Sequence, residues 1–588
     1  MNRLSWHWRL GLFLGLALLV YLPALRGGFV WDDNDYVTTN TVLRNWHGLW
    51  DIWFHPVKLP QYYPLTFSTF WTEYHLWGLH PLGYHLINVL LHVLNSLLVW
   101  RILERLKVRG AWFAGLLFLV HPVMVESVAW ITERKNVLSG FCYLSSFLAY
   151  LRFKDREPKL WPWYFVSFFL FLAALLSKTI TVTFPAVVVL TLWWKHGKFP
   201  AKDLLRMLPF LAASAILGAI TMRFENNLIN VLGTPEWSLS LSQRCLIAGR
   251  ALWFYLGKLA WPHPLIFIYP RWEINAAALW PWCFPATFIL LLAVLWKFRQ
   301  RLGQGPFTAL AVFGITIFPA LGFKSFYPMR YSFVADHFQY LAAIAPFALA
   351  ASGMTVLIKQ RKIRILLGII TLVLLSGLSW KQCGAYKDLE ALWRDTLSKN
   401  PDAWLAHNNL GSILEQSGRM NDAEFHFREA IRLKPDYGLA YNNLGFLKEK
   451  QGDPEKALEY YRQAVAFEPY TGQIQFYLGS CLHGLGRIEE AIPHYQKASE
   501  LLWNFSAPCY NLGQIFAAKQ EYENAVRWYR KAIRRNPQFI DSYASLGTVL
   551  EKLGKGEEAI AVYREALTFD PENSKVLKNL RRIAPQAI

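Results

Sequence analysis

The most unusual residues for chemistry are the acids in "GGFVWDDNDYVTTN", residues 27–40, which holds Asp32, Asp33 and Asp35. They directly follow the apolar run "RLGLFLGLALLVYLPAL". Charged groups at the end of a membrane helix are costly and tend to be retained for function. A carboxylate placed there can act as a general base toward a hydroxyl group. The alternative is a solvated loop start, or the N-cap of a following helix.

Other polar residues are expected on the same face of the membrane, because basic clusters between apolar runs mark the cytoplasmic loops. Cations accompanied by a few acids predict a site for an anionic, lipid-linked substrate: Arg and Lys hold phosphate, and a carboxylate accepts a proton. The outward-facing groups are His121, Glu126, Glu133, Arg134, Lys135, Lys178, His263, Arg271, Arg330, Asp336 and His337.

Four of these residues also have a structural explanation. Arg134 and Lys135 can cap a helix or extend to lipid headgroups, and Lys178 can do the latter between its two apolar runs. Glu126 can be a paired structural carboxylate.

Composition indicates a membrane protein with a second, soluble part. The chain has 588 residues, 54% of them hydrophobic, with 27 Trp and 40 Phe. Residues 1–380 contain 34 basic and 15 acidic residues, against 27 and 26 in 381–588. The net charge of +20 therefore lies in short clusters between apolar runs, which is typical of cytoplasmic loops and argues against a nucleic-acid partner. The six cysteines form no metal-binding or disulfide pattern.

The C-terminal part repeats every 34 residues. Glycine recurs at 411, 445, 479, 513 and 547, and an aromatic residue recurs at 427, 461, 495, 529 and 563. This pattern resembles the tetratricopeptide repeat, an α-solenoid of helix pairs. We expect five repeats over 401–571, a capping helix over 572–588, and a linker or first helix over 381–400.

The basic clusters predict about eleven membrane spans in residues 1–380, with the N-terminus in the cytoplasm. The spans are placed at the first apolar run, at 84–100, at two helices flanking "HPVMVESVAWITERKN", and then at 161–176, 180–194, 207–222, 281–296, 306–322, 338–357 and 365–380. Residues 244–260 carry Arg244, Arg250 and Lys258 and are expected to lie along the membrane surface. An odd number of spans puts the repeats on the side opposite the N-terminus.

Several motifs in this order resemble one family. They are "FVWDDNDYVTTN", "YYPLTFSTFWTEYHLWGLHPLGYHLINVLLHVLNSLL", "HPVMVESVAWITERKNVLSGFCYLSSFLAY", "LSKTITVTFPAV", "YLGKLAWPHPLIFIYPRW" and "VADHFQYL". Together with the repeats, they resemble GT-C membrane glycosyltransferases, and among these the transmembrane-and-TPR protein O-mannosyltransferases and their bacterial relatives. The resemblance implies an all-α protein in which a polytopic GT-C-type transmembrane domain precedes a TPR α-solenoid.

The resemblance also implies a reaction. The donor is a sugar, mannose or similar, on a polyprenyl phosphate, and the acceptor is a Ser or Thr hydroxyl of an exported protein held in the TPR groove. Asp32 and Asp33 form the catalytic acidic motif. One of them is the base of an inverting transfer. They are also the residues that would hold a divalent metal if one is used. Glu126, Arg134, Lys135, Lys178, Asp336 and His337 are the candidates for binding the donor phosphate.

Two positions depart from the family pattern: Tyr63 and His337 stand where many relatives have Arg. The implied location is the inner membrane of a bacterium, with the repeats in the periplasm. Two alternatives remain open, namely a membrane-anchored TPR scaffold without activity, and a transferase that acts on a lipid or glycan.

Overall fold

The computed structural model describes residues 3–155, 161–197, 201–232 and 239–585. Within these ranges the protein is helical and contains no β-strand, so the expected all-α fold class is confirmed. The chain divides into two compact units, Met1–Ala403 and Trp404–Ile588.

The first unit contains long apolar helices joined by loops with short 3₁₀ turns. Its helices are α1 (Arg3–Leu25), α2 (His47–Phe54), α3 (Pro64–Trp77), α4 (Pro81–Arg105), α5 (Ala111–Val120), α6 (Val125–Ala129), α7 (Arg134–Asp155), α8 (Trp161–Ser177), α9 (Phe184–His196), α10 (Ala201–Arg206), α11 (Leu208–Leu232), α12 (Leu241–Ala260), α13 (Cys283–Lys297), α14 (Arg299–Leu302), α15 (Gly305–Ile317), α16 (Ile344–Leu357), α17 (Arg361–Cys383) and α18 (Leu389–Lys399).

Several of these helices are suited to crossing a membrane. Within the described residues, five stretches have the length and composition of a span: His7–Leu25, Pro81–Arg105, Ala201–Glu225, Trp280–Lys297 and Arg361–Tyr386. A sixth results if α5 and the segment Pro122–Ala129, bent by 55°, are counted as one broken span. Helices α7, α8, α9, α15 and α16 lie at the remaining predicted spans, and the total of eleven stays a prediction.

The region expected to lie along the membrane surface is α12. It is long enough to cross a bilayer, but it does not have the composition of a span. Its N-terminus is closed by a capping box of Ser240 and Gln243.

The second unit is a stack of five helix pairs followed by one more helix, as the 34-residue period predicts. The pairs are α19 (Trp404–Gln416) with α20 (Met420–Leu433), α21 (Gly438–Lys450) with α22 (Pro454–Phe467), α23 (Gly472–Gly484) with α24 (Ile488–Leu501), α25 (Ala507–Ala518) with α26 (Tyr522–Arg535), and α27 (Ile540–Lys552) with α28 (Gly556–Phe569); the last helix is α29 (Ser574–Ile583).

Close approach of the two helices in each pair explains the repeated glycine. A Cβ atom at Gly513 would lie 2.5 Å from the ring of Tyr529, and one at Gly547 would lie 2.3 Å from the ring of Tyr563. Both distances are far below van der Waals contact, so only glycine allows the aromatic ring to pack there. The repeated glycine and the repeated aromatic ring therefore pack directly on each other, which is why both recur every 34 residues.

Candidate active site

The loop that carries the two aspartates is fixed at both ends. Helix α1 ends at Leu25, and the Gly28 N–H then donates to the Lys387 carbonyl at 2.8 Å. Trp31 packs edge-on against Trp393 with 5.0 Å between ring centroids. Trp31 also has a φ of 49°, in the left-handed region that a bulky side chain rarely adopts. Such backbone strain costs about 1–3 kcal/mol and tends to occur at functional sites.

Asp33 is fully buried and bound on both carboxylate oxygens. Its Oδ2 accepts from the Val30 N–H at 2.8 Å, and its Oδ1 accepts from the backbone N–H of Thr132 at 2.7 Å and from the Thr132 hydroxyl at 2.5 Å. Burial raises the pKa of Asp33 to about 7, against the opposing effect of these hydrogen bonds. The side chain ties the aspartate loop to the loop before α7.

Asp32 is placed differently. Its side chain is partly exposed, and no hydrogen bond or ion pair to its carboxylate occurs within the described ranges. Burial raises the pKa of Asp32 to about 6, while the nearby Lys135 ammonium acts to lower it. Asp32 is therefore a carboxylate available to a substrate, with a pKa near the range in which a general base works best.

Glu133 organises the cations beside Asp32. Its carboxylate is buried and lies 3.0 Å from the Lys135 Nζ and 3.0 Å from the Lys178 Nζ. Burial opposes its ionisation, but His337, Lys135 and Lys178 together hold the pKa of Glu133 below its usual range. Burial lowers the pKa of Lys178 to about 8, although the Glu133 carboxylate acts to raise it. The lysines are thus brought together by one shared anion.

Lys135 is also enclosed by aromatic rings. Its Nζ lies 5.1 Å from the ring centroid of Tyr36 and 5.7 Å from that of Trp130, which are cation–π distances. Tyr63 occupies one of the positions that depart from the family pattern. It is buried and close enough to Lys135 and Glu133 to interact with them electrostatically.

His337 and Asp336 form a second pair of contacts. The Glu126 carboxylate accepts from the His337 backbone N–H at 2.9 Å and lies 3.1 Å from its Nδ1. The Asp336 carboxylate accepts from the Tyr269 hydroxyl at 3.0 and 3.1 Å. Burial raises the pKa of Asp336 well above its ordinary value, and the nearby Glu126 carboxylate adds to the effect. Of the two residues, His337 is the one that interacts with Asp32 and Glu133.

Arg134 is engaged inside the protein. Its guanidinium is fully buried, pairs with Glu73 at 2.7 Å, and donates to the Asn88 side chain at 2.5 Å and to the Tyr84 carbonyl at 2.8 Å. A buried guanidinium held by this many acceptors cannot turn to a phosphate without leaving a charge unpaired. Arg134 is therefore separated from the cluster of Asp32, Lys135 and Lys178.

Some residues of the site are absent from the sequence-based candidates. Glu133 is among the outward-facing residues of the sequence analysis but not among the phosphate-binding candidates, although its carboxylate joins the two lysines. Tyr36 donates to the Gln61 side chain at 2.5 Å, and Gln61 donates to Glu225 at 3.1 Å. The sequence does contain one indication for Glu225. It is an acid just beyond the outer end of the predicted span 207–222, where acids are uncommon in a membrane protein.

The residues do not fit a metal shared by Asp32 and Asp33. Both oxygens of Asp33 already accept hydrogen bonds, so the two carboxylates are not arranged as a chelating pair. No group of three or more His, Cys, Asp or Glu side chains suited to a metal ion occurs in the part of the chain that the structure describes.

The fold and the site define a polytopic membrane protein with a tetratricopeptide-repeat array. Family models for the tetratricopeptide repeat match residues 403–469, 436–502 and 540–573, and a TPR repeat model matches residues 513–554. Among solved structures, YrrB, described as a TPR protein with an unusual peptide-binding site, aligns with 32% of this chain and 96% of its own at 18% identity and a TM-score of 0.28.

The chain is similar to proteins named protein O-mannosyl-transferase, which confirms the family resemblance. F38B6.6 of Caenorhabditis elegans is 27% identical over 428 residues, which is 68% of this chain and 59% of the relative. Tmtc1 of Drosophila melanogaster is 35% identical over 29% of this chain and 21% of its own, and TMTC4 of Mus musculus is 33% identical over 29% and 27%. The chain thus spans less than two thirds of the length of these relatives.

Proposed function

We propose that this protein is a membrane glycosyltransferase that moves a sugar, mannose or similar, from a polyprenyl-phosphate donor to Ser or Thr hydroxyls of exported proteins. The observation that carries the proposal is the Asp32 carboxylate, which is accessible and unbonded within the described ranges, beside a buried cluster of two lysines and Glu133. The names of the similar proteins support the reaction class.

Asp32 acts as the general base. Its carboxylate accepts the proton of the acceptor hydroxyl while that oxygen attacks the anomeric carbon of the sugar. The bond between the anomeric carbon and the phosphate oxygen breaks, and the phosphate leaves on the opposite face, so the configuration is inverted. An inverting glycosidase uses the same arrangement with water as the nucleophile.

Lys135, Lys178 and His337 stabilise the donor phosphate and the negative charge that it gains on leaving. Glu133 holds the two lysines in position when no phosphate is present. Asp33 orients the base by fixing its loop to Thr132, and Arg134 supports α7 from inside.

An apolar cavity supports a lipid-linked donor. It has a volume of about 580 Å³ and lies between α4, α7, α9, α15 and α16. Tyr143 lines it two turns along α7 from Lys135, and Leu341 lines it four residues after His337. A prenyl chain in this cavity would keep its apolar surface away from water while its phosphate points toward the cluster.

We place the protein in the inner membrane of a bacterium, with the site and the TPR unit outside the cytoplasm. The alternation of basic clusters motivates this topology. A C-terminal reporter that is active only in the cytoplasm should stay silent, and a strong signal would reject the topology.

The test of activity is transfer of radiolabelled mannose from polyprenyl-phosphate mannose to Ser- and Thr-containing peptides by the purified full chain in lipid vesicles. Asp32→Asn should reduce the transfer rate by about 10²–10⁴. Asp35→Asn is the matched control, because Asp35 belongs to the same acidic motif and is exposed. Its charge only helps to raise the pKa of Asp32, so removing that charge should leave the base ionised.

Undiminished transfer by Asp32→Asn would overturn the mechanism. If the unaltered protein shows no transfer to peptides, transfer to a lipid or glycan acceptor in the same assay would favour that alternative. No transfer to any of these acceptors would favour a TPR scaffold.

A further inference from the structure

A small polar pocket lies between the turn before α3 and the C-terminal half of α11. Its walls include Gln61, Tyr62, Tyr63, Thr221, Phe224 and Glu225, and we call it the Glu225 pocket. The proposed mechanism uses none of these side chains. They nevertheless bring a carboxylate, an amide and hydroxyl groups together in one place, which is a reason to ask what the pocket binds.

Two contacts place the pocket next to the two lysines of the cluster. Tyr63 lines the pocket and is close enough to Lys135 to interact with its charge. Thr221 lines it from α11, and its hydroxyl lies 2.7 Å from the hydroxyl of Thr179, the residue after Lys178. In the proposed reaction the lysines hold the donor phosphate, to which the transferred sugar is directly bonded. The pocket is therefore placed to receive part of the sugar.

Gln61 and Glu225 give the pocket both a donor and an acceptor. The Gln61 amide donates one N–H to the Glu225 Oε1 at 3.1 Å, and its oxygen accepts from the Tyr36 hydroxyl at 2.5 Å. These two bonds fix the amide and leave its second N–H available in the described structure. The Glu225 Oε2 is buried and accepts no hydrogen bond of normal geometry within the described residues, although the Tyr327 backbone N–H is close to the carboxylate.

This pair of groups matches a hydroxyl. A hydroxyl group can donate to the free carboxylate oxygen and accept from the free amide N–H at the same time. A buried acceptor without a partner is costly, and an incoming hydroxyl removes that cost. The rings of Tyr62 and Phe224 stack in the wall with 5.8 Å between their centroids. Aromatic walls with a few placed polar groups are the usual composition of a small-molecule site.

The size of the pocket decides which part of a sugar can enter. Its volume is about 40 Å³, which holds a few water-sized groups but not a sugar ring. A hydroxyl on the ring projects from it by one heavy atom, whereas the exocyclic hydroxymethyl group of a hexose projects by two. The hydroxymethyl group therefore reaches further into a narrow pocket than any ring hydroxyl does.

We propose that the Glu225 pocket binds the exocyclic hydroxymethyl group of the transferred sugar and selects sugars that carry it. The proposal rests on the proposed function, which supplies the donor phosphate at the lysines. The hydroxyl donates to the Glu225 Oε2 and accepts from the Gln61 Nε2. A 6-deoxy sugar or a pentose would leave both groups unpaired, and a site built to bind a hydroxyl strongly rejects the analogue that lacks it.

The test measures binding by isothermal titration calorimetry with the full chain in nanodiscs. Four probes share one short isoprenyl phosphate: the phosphate alone, and the same phosphate carrying mannose, 4-deoxymannose or 6-deoxymannose. The pocket predicts that the 6-deoxy probe binds at least tenfold more weakly than the mannose probe. The 4-deoxy probe, which lacks a ring hydroxyl instead, should lose less affinity.

The protein variant is Glu225→Ala, which should weaken binding of the mannose probe and remove most of its advantage over the 6-deoxy probe. The matched control is Asp51→Ala. It removes a carboxylate from the loop that also carries Gln61, where Asp51 pairs with the exposed His55 and Lys58, and it should keep the preference of the parent. A folded Glu225→Ala protein with the full preference for mannose would overturn the proposal.

The unaltered protein gives a second, independent decision. Equal binding of the mannose and 6-deoxy probes would overturn the proposal, and so would binding of the mannose probe no tighter than that of the isoprenyl phosphate alone. This comparison decides the question even if the Glu225 variant fails to fold.

A parallel transfer assay on the same samples separates the two proposals. Mannose transfer by a protein that does not distinguish the mannose and 6-deoxy probes would reject the pocket alone. Tighter binding of mannose through Glu225 without any transfer would reject the proposed reaction and leave the sugar site standing.

Discussion

Replacing each aspartate of the pair by asparagine should separate catalysis from stability. At Asp32 the substitution removes a proton acceptor but breaks no hydrogen bond of the described structure. Loss of a general base typically costs about 10²–10⁴ in rate. We therefore expect Asp32→Asn to lose that much of kcat while its expression and thermal stability match those of the parent.

At Asp33 the same substitution should mainly affect stability. The asparagine Oδ1 can keep both hydrogen bonds from Thr132, but its NH₂ group then faces the Val30 N–H, where the Asp33 Oδ2 accepts a bond at 2.8 Å. The hydrogen bond from Val30 is lost, and two N–H donors then face each other in a buried place. This should lower the free energy of unfolding by about 1–3 kcal/mol. Asp33→Asn should therefore lower the apparent Tm and the yield.

The assay pairs mannose transfer with thermal unfolding of the full chain in one detergent. Rates are normalised to the folded fraction, so that instability at position 33 does not appear as lost catalysis. Asp33→Asn, once normalised, should retain more activity than Asp32→Asn. The reverse pattern, with Asp32→Asn unstable and Asp33→Asn folded but inactive, would refute the assignment of roles.

The remaining predictions address the base, the cations and the repeats. Burial raises the pKa of Asp32 in the free protein to about 6, and the base must be unprotonated. The kcat/KM for transfer should therefore rise with pH through about 6 and then level off, and a flat kcat/KM between pH 5 and 7 would contradict this. Lys178→Met should raise the KM for the donor at least tenfold. Arg134→Lys should leave that KM unchanged but reduce the folded yield, because a lysine cannot replace the guanidinium fork. Equal effects of the two variants on KM would contradict the separation of the two cations. Gly513→Ala should destabilise its helix pair by about 1–3 kcal/mol through overpacking, measured by hydrogen exchange on the full chain. Gly484→Ala, with nothing within 4 Å of the added Cβ, should not destabilise, and equal exchange in both variants would contradict the steric argument.

The repeats could be predicted from the sequence because their determinants are local. A glycine and the aromatic ring that packs on it are separated by 16 residues in every copy, as in Gly513 and Tyr529. The positions of the apolar helices were also predictable, since they follow from runs of hydrophobic residues. The end of α5 was predictable as well, because His121 and Pro122 follow it and the residue before a proline is disfavoured in a helix. The 55° bend angle was not predictable.

The roles within the site could not be predicted, because they depend on contacts far apart in the sequence. Asp32 and Asp33 are equivalent by type, and the sequence favours Asp32 as the base only through the family resemblance and its position nearest the predicted membrane helix. In the structure, the distant Thr132 distinguishes the two. Arg134 and Lys135 are adjacent at the start of α7, where one residue turns the helix by about 100°. One side chain therefore points into the core and its neighbour toward the cluster, and the sequence does not show which.

The charges of the cluster suggest an order of events. Lys135 and Lys178 share Glu133, and Lys135 also faces Asp32, so two ammonium groups stand near two carboxylates before any substrate arrives. This balance avoids burying uncompensated cations. An arriving phosphate adds negative charge beside Asp32, and a nearby like charge raises the proton affinity of a carboxylate. Donor binding thus strengthens the base that the acceptor hydroxyl meets, and this favours a sequence in which the donor binds first and the acceptor second.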